Sequence, residues 1–223
     1  MLLYKKMKQV IYNKFNKHAI GNLPRVLFKG RIFVVISKNE TNSAIDYLLS
    51  QKLLGIDTET RPIFKKGDNH LVSLLQVSTK DTCFLFRLNF TGITPAIKRF
   101  LEDQTVTKVG LSLHDDFLSL HKRANFTPGS FIDLQNLVGQ IGIEDMSLQK
   151  LYANLFGEKI SKRQQLSNWD SPVLTEAQKL YAATDAWACV QLYEKLMALE
   201  IQQNYQLIKV PEKTQTQIET NIK

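Results

Sequence analysis

The sequence predicts an α/β domain with a mixed β-sheet containing one antiparallel strand. Three observations carry this. Several short runs rich in β-branched and aromatic residues, "RIFVVIS", "LLGIDTE", "HLVSLLQVST" and "CFLFRL", lie in the first 90 residues. Two of them are separated only by "KD" at residues 80 and 81, which suits a hairpin and so an antiparallel pair. Beyond them helical and strand patterns alternate, as they do where crossovers cover a largely parallel sheet.

In order, Leu3, Met7, Val10, Ile11 and Phe15 fall at helical spacing and predict a short amphipathic helix over 3–15. "NLPRVLFKG" is a connector and 31–37 a strand. "NETNSAIDYLLSQ" opens with capping residues and continues as a helix, followed by the strand 53–59 and the two hairpin strands. "TPAIKRFLED" carries a capping Thr94 with Pro95 at the first helical position. "TKVGLSL" reads as a strand, "HDDFLSLHKRAN" as a helix, and "SFIDLQNLVGQIG" as a short strand running into a helix. "MSLQKLYANLFG" is a helix that Gly157 can end. After a polar, basic loop, a long helix opens at a Thr175 cap. The division expected is a basic arm over 1–23, a domain over 24–202 and a polar, disordered tail over 203–223.

With 223 residues the chain can hold one large domain, and its 43% apolar content is enough for a core. It has no run of 18 apolar residues and no secretory apolar region near its start, so membrane and secreted classes are not expected. Cys83 and Cys189 both sit in apolar periodic segments, which argues against a disulfide scaffold or a cysteine zinc site and for a cytoplasmic setting. His18, His70, His114 and His121 lack metal-ligand spacing. The net charge of +8 is concentrated at one end: residues 1–39 hold nine Lys or Arg and no acid. Such an arm suits a polyanionic partner, although a Lys-rich composition alone also produces one.

The chemistry lies in the acids. The apolar run 53–56 ends at Asp57, Thr58 and Glu59. On a strand, Asp57 and Glu59 share a face. Two unit charges ~4 Å apart repel by ~4 kcal/mol at an effective dielectric of ~20. A second acidic pair, Asp115 and Asp116, stands where a strand gives way to a helix. Tyr181 and Asp185 lie one turn apart on the long helix. Taken singly, each has an ordinary reading as a solvated or helix-capping acid. Brought into one cleft, the carboxylates could not all stay ionised unaided, and a hard divalent cation such as Mg²⁺ or Mn²⁺ relieves the conflict.

"GIDTET", "KVGLSLHDD" and "LTEAQKLYAATDAWA" together resemble the three exonuclease motifs of the DEDD superfamily of 3′–5′ exonucleases. The tyrosine in the third motif resembles the DEDDy branch, most nearly the Werner-syndrome-type exonuclease domain, with ribonuclease D more distant. The likeness covers about residues 24–197, including "LLQVS" and "LSNWD". It implies a ribonuclease H-like mixed sheet flanked by helices and 3′–5′ exonuclease activity; with no helicase motifs in the sequence, a free-standing exonuclease domain is expected. Two divalent cations, Mg²⁺ or Mn²⁺, would be held by Asp57, Glu59, Asp116 and Asp185, with Tyr181 orienting the attacking water. Asp116, rather than Asp115, aligns as the acid of the second motif. The partner implied is nucleic acid, DNA before RNA, with nucleoside 5′-monophosphates as products. Trimming of RNA and non-catalytic binding of nucleic acid are the alternatives. In "KISKRQQLSNWD", Lys162 and Arg163 could reach substrate phosphates and Trp169 could stack on a base. Phe64, with Pro62, could wedge against the terminal base.

Overall fold

The computed structural model describes residues 8–65 and 67–211. Six strands form one sheet: β2 (Arg31–Val35), β3 (Leu53–Glu59), β4 (Leu74–Ser78), β5 (Thr82–Arg87), β6 (Thr107–Gly110) and β7 (Phe131–Asp133), in the order β2-β5-β4-β3-β6-β7. β4 runs antiparallel to both its neighbours, β3 and β5, and the other three pairings are parallel. The mixed sheet with one antiparallel strand is therefore present. The β4–β5 turn places Lys80 and Asp81 at its centre, closed by a 2.8 Å bond from the Thr79 N–H to the Thr82 carbonyl.

Period-two alternation decides what each face carries. Leu54 and Ile56 of β3, Leu75 and Val77 of β4, and Phe86 of β5 pack with Ile45 and Leu48 of α1 (Lys38–Leu49) and with Ile97 and Phe100 of α3 (Pro95–Glu102). The four-residue α2 (Leu88–Thr91) leads from β5 toward α3. Leu74, Cys83 and Leu85 point the other way, onto Tyr181, Ala182 and Ala183 of the long helix α7 (Glu176–Gln202). α4 (Leu113–His121), α5 (Leu134–Gln140) and α6 (Leu148–Phe156) complete the domain, and Gly157 ends α6 in the left-handed conformation, φ 67°.

Three expectations need correction. Residues 9–12 are not helical: β1 (Gln9–Tyr12) pairs in parallel with β8 (Tyr205–Ile208), inside the stretch expected to be a disordered tail. Ile11 is fully buried against α5–α7, and partnering between the two ends of the chain overrides local helical spacing. The parts of the arm and tail over 1–7 and 212–223 lie outside the described residues. Strand β6 stops at Gly110, short of the expected Leu113, because the backbone turns sharply at Ser112 (φ 62°).

Candidate active site

The site begins with a helix laid directly on a strand. Gly55, Asp57 and Glu59 share the face of β3 that α7 covers. A side chain at Gly55 would collide with the backbone carbonyl of Ala186, so glycine is what lets α7 approach. The small Ala182, Ala183 and Ala186 keep the approach close, and all three are fully buried. Asp185, the neighbour of Ala186, is thereby carried to the carboxylates of β3. One oxygen each from Asp57, Glu59 and Asp185 lies within 4.8 Å of the others. β6 pairs with β3 only as far as Gly55, so Asp57 and Glu59 stand beyond the last β3–β6 pair. The cleft there has a volume of about 340 Å³.

Asp116 reaches the same end of the sheet from α4. It stands outside the 4.8 Å trio and accepts a short hydrogen bond from the Thr58 hydroxyl. Its charge and that of Asp57 act on each other. Asp115, one residue earlier, is exposed. Tyr181 is buried, and its hydroxyl bonds to the Asp185 carboxylate one turn along α7.

Burial and mutual repulsion hold the acids above the usual carboxylate range. Asp57 is pushed up to about 8 by burial and by Asp185. Glu59 rises to about 10 through burial and the charges of Asp57, Asp185 and Asp116. Asp116 rises to about 8 through burial and Asp57, against the Thr58 bond that lowers it. Burial lifts Asp185 to about 7, opposed by the Tyr181 bond and by Lys162. Oδ1 of Asp185 is buried with no hydrogen-bond partner in the protein. A cluster of raised carboxylates with an unpartnered buried oxygen is what a divalent cation satisfies, and an all-oxygen donor set suits a hard one. The nearby Cys189 thiol is held neutral by burial.

The residues assigned to substrate separate in space. Lys162 lines the cleft and is exposed. Arg163 is exposed beside it but does not line the cleft. Phe64, also outside the lining, is 78% exposed on the loop after β3. Trp169 corrects the expectation of base stacking: it is fully buried, 5.9 Å from the Tyr181 ring, and has no face free for a base. Its indole anchors the chain entering α7, where the buried Arg87 also donates to the Ser171 carbonyl at 2.5 Å.

Sequence reasoning assigned no role to Thr58 or Asp133. Thr58 sits inside the "DTE" triplet, but its partner Asp116 is 58 residues away. Asp133 stands at a strand–helix junction, the ordinary signal of an N-cap, and it does accept from the Gln135 N–H. Its bonds to the start of α4 had no local signal.

Residues 32–199 match a family model described as 3′-5′ exonuclease. The mouse bifunctional 3′-5′ exonuclease/ATP-dependent helicase WRN is 31% identical over 186 residues, covering 78% of this chain and 13% of that protein. A 3′-5′ exonuclease of Arabidopsis thaliana is 28% identical over 194 residues, covering 80% of this chain and 67% of that one. The chain thus spans a small part of the first relative and two thirds of the second. Among solved structures, the Aedes aegypti Nibbler EXO domain superposes with a TM-score of 0.69 at 22% identity, covering 78% of this chain and 91% of that one. Escherichia coli RNase D, an exoribonuclease, superposes at 0.67 and 21% identity, covering 74% of this chain and 44% of that one. These likenesses establish a shared ribonuclease H-like fold. A match across three quarters of its length, over the segment that carries every carboxylate of the cleft, means that this chain belongs to the 3′-5′ exonuclease family.

Proposed function

We propose that the protein is a metal-dependent 3′–5′ exonuclease that removes nucleoside 5′-monophosphates from the 3′ ends of nucleic acid, with DNA the preferred substrate. The observation that carries this is the convergence of Asp57, Glu59 and Asp185 oxygens, with one Asp185 oxygen buried and unpartnered. Asp57, Glu59, Asp116 and Asp185 would hold two divalent cations, Mg²⁺ or Mn²⁺. When bound, these supply charge neutralisation at the scissile phosphate and acidify the attacking water.

The remaining work falls to the chain itself. Tyr181, fixed by Asp185, presents its hydroxyl to the cleft and orients the water for in-line attack. Burial and the acidic neighbours raise the Tyr181 phenol, so it acts as a hydrogen-bond donor and stays protonated. Lys162 offers a positive charge at the mouth, where the substrate backbone must pass. Arg163 and Phe64 would meet the strand farther out. Loss of a terminal nucleotide breaks the P–O3′ bond; water supplies the hydroxyl left on the released 5′-phosphate, and the shortened strand keeps a free 3′-OH.

Preference for DNA is supported by a relative 26% identical over 162 residues that is a DNA polymerase I, of Aquifex aeolicus. The RNA reading has a specific support too, because E. coli RNase D, an exoribonuclease, shares the fold at 21% identity. The deciding experiment is digestion of matched end-labelled DNA and RNA, each with a recessed 3′ end, in Mg²⁺ or Mn²⁺, with products weighed. Stepwise shortening from the 3′ end with 5′-mononucleotide release is expected, faster on DNA. Intact 3′ ends on every substrate with either metal would end this reading.

A further inference from the structure

We infer that Asp133 is a positioning residue for Asp116: its carboxylate moulds the left-handed turn from which the Asp116-bearing helix starts. The inference rests on the proposed exonuclease reading for its kinetic test, but its geometry stands apart from it.

The chain must leave β6 at Gly110 and enter α4 within three residues. It does so through Ser112 at φ 62°, ψ 39°. Only one other non-glycine residue among those described, Gln203 at a helix end, has positive φ. Side chains other than glycine disfavour this conformation, and it persists only where the surroundings enforce it. Ser112 does not cap α4 with its own side chain. The first N–H groups of a helix need acceptors, and here they come from outside. Asp133 Oδ1 accepts from the Ser112 N–H at 3.2 Å, and Oδ2 accepts from the Leu113 N–H at 2.8 Å. Oδ1 also accepts from the Gln135 N–H at 2.9 Å. Both oxygens are thus committed, and two of the three donors belong to the turn.

The surrounding contacts point the same way. Asp133 pairs with Gly110 in the β6–β7 ladder, so backbone register sets its side chain beside the turn. The Ser112 hydroxyl accepts from Gln135 Nε2 at 2.6 Å, and the same amide donates to the Met146 carbonyl at 3.2 Å. Ser112 and Met146 both line the cleft. Asp116 is the fourth residue of α4, so rotation of the turn would swing its carboxylate away from Thr58 and Asp57. A capping serine or asparagine would serve α5 alone; only a carboxylate offers two acceptor oxygens to the turn.

The competing role, a cap for α5 and nothing more, is separated by Asp133→Ser. Serine still caps the Gln135 N–H but is too short to bridge Ser112 and Leu113. With the full chain, kcat and KM are measured on 3′-recessed DNA, Mn²⁺ binding is followed by electron paramagnetic resonance, and the thermal midpoint is recorded. The expected result is a kcat lowered about 10- to 100-fold, with KM within about threefold and weaker Mn²⁺ binding, in a folded protein. Adding Ser112→Gly, which takes positive φ without penalty, should restore most of the loss relative to Ser112→Gly alone. Wild-type kcat and Mn²⁺ binding in Asp133→Ser, or a loss that Ser112→Gly leaves untouched, would overturn the inference. Should the wild-type protein cleave no end, the proposed function fails, and Mn²⁺ binding alone still decides the role of Asp133.

Discussion

Asp57 is at ease in the metal-free protein only when protonated. Ionised, it is buried and faces Asp185 and Glu59, so it keeps its proton well above the pH at which an exposed carboxyl loses one. The folded acids at about 8 for Asp57 and Asp116 and about 7 for Asp185 compare with about 4 when unfolded. Between those limits the native state binds more protons than the unfolded one, so stability falls as pH rises through the window. Carboxylates lowered by hydrogen bonds, such as Glu40 and Asp103, act below it. In EDTA, calorimetry should show the thermal midpoint dropping from pH 5 to pH 8.5, by about 2–4 °C per kcal/mol lost. Asp57→Asn should flatten that drop while lowering activity at least about a thousandfold, or ~4 kcal/mol. A midpoint that climbs with pH in the wild-type protein would refute the buried repulsion. Trp169 makes the opposite point: a residue suited to binding serves packing. Trp169→Ala should cost about 3–5 kcal/mol, read by denaturant titration, whereas Trp169→Phe should leave the KM for DNA unchanged. A raised KM without loss of stability would return it to the substrate.

Helix α7 and strand β3 act as a pair. β3 supplies two of the carboxylate trio and α7 the third, and their separation is set by Gly55 under the carbonyl of Ala186. The helix is pinned at its start by a capping box between Thr175 and Gln178, and Gln178 also donates to Ser167 Oγ and the Asn168 carbonyl at 3.0 and 3.1 Å. The basic loop carrying Lys162 is therefore tied to the same element as Asp185. A methyl at residue 55 has no empty space to enter and must push helix from strand. Gly55→Ala should destabilise the fold by about 1–3 kcal/mol or more and weaken Mn²⁺ binding alongside. Calorimetric titration checks this: full Mn²⁺ affinity in a folded Gly55→Ala protein would mean that the close approach is not what assembles the trio.

The two ends of the described chain form a clasp. β1 and β8 pair in parallel, and the Asn154 side chain bonds the Tyr12 N–H and carbonyl at 2.9 and 2.7 Å. Ile11 is buried against the layer formed by α5, α6 and α7. That layer includes α6, whose first residues form one wall of the cleft. A chain ended after residue 203 should lose the clasp, expose Ile11 and drop in stability by about 2–5 kcal/mol, the cost of emptying one such core site. Comparing denaturant midpoints of the two lengths tests it; equal midpoints would show the clasp to be idle. The positive charge of residues 1–39 then belongs partly to folded structure, since Lys8 flanks β1 and Arg31 opens β2.

Much of the site was legible because its pairings are local. Asp57 and Glu59 follow the period of a strand, and Tyr181 and Asp185 follow one helical turn, so their relative placement holds wherever those elements pack. The mixed sheet was legible for the same reason, through the short Lys80–Asp81 turn. Other features depend on partners far along the chain. β1 carries helical spacing yet becomes a strand because β8 lies beside it. Trp169 sits in a polar loop by sequence and in the core by packing. Asp115 and Asp116 are neighbours of one kind, separated only by the direction in which the turn at Ser112 starts α4. Side-chain periodicity is written in adjacent residues, whereas a left-handed backbone, a buried indole and a carboxylate braced from another strand exist only once distant segments meet.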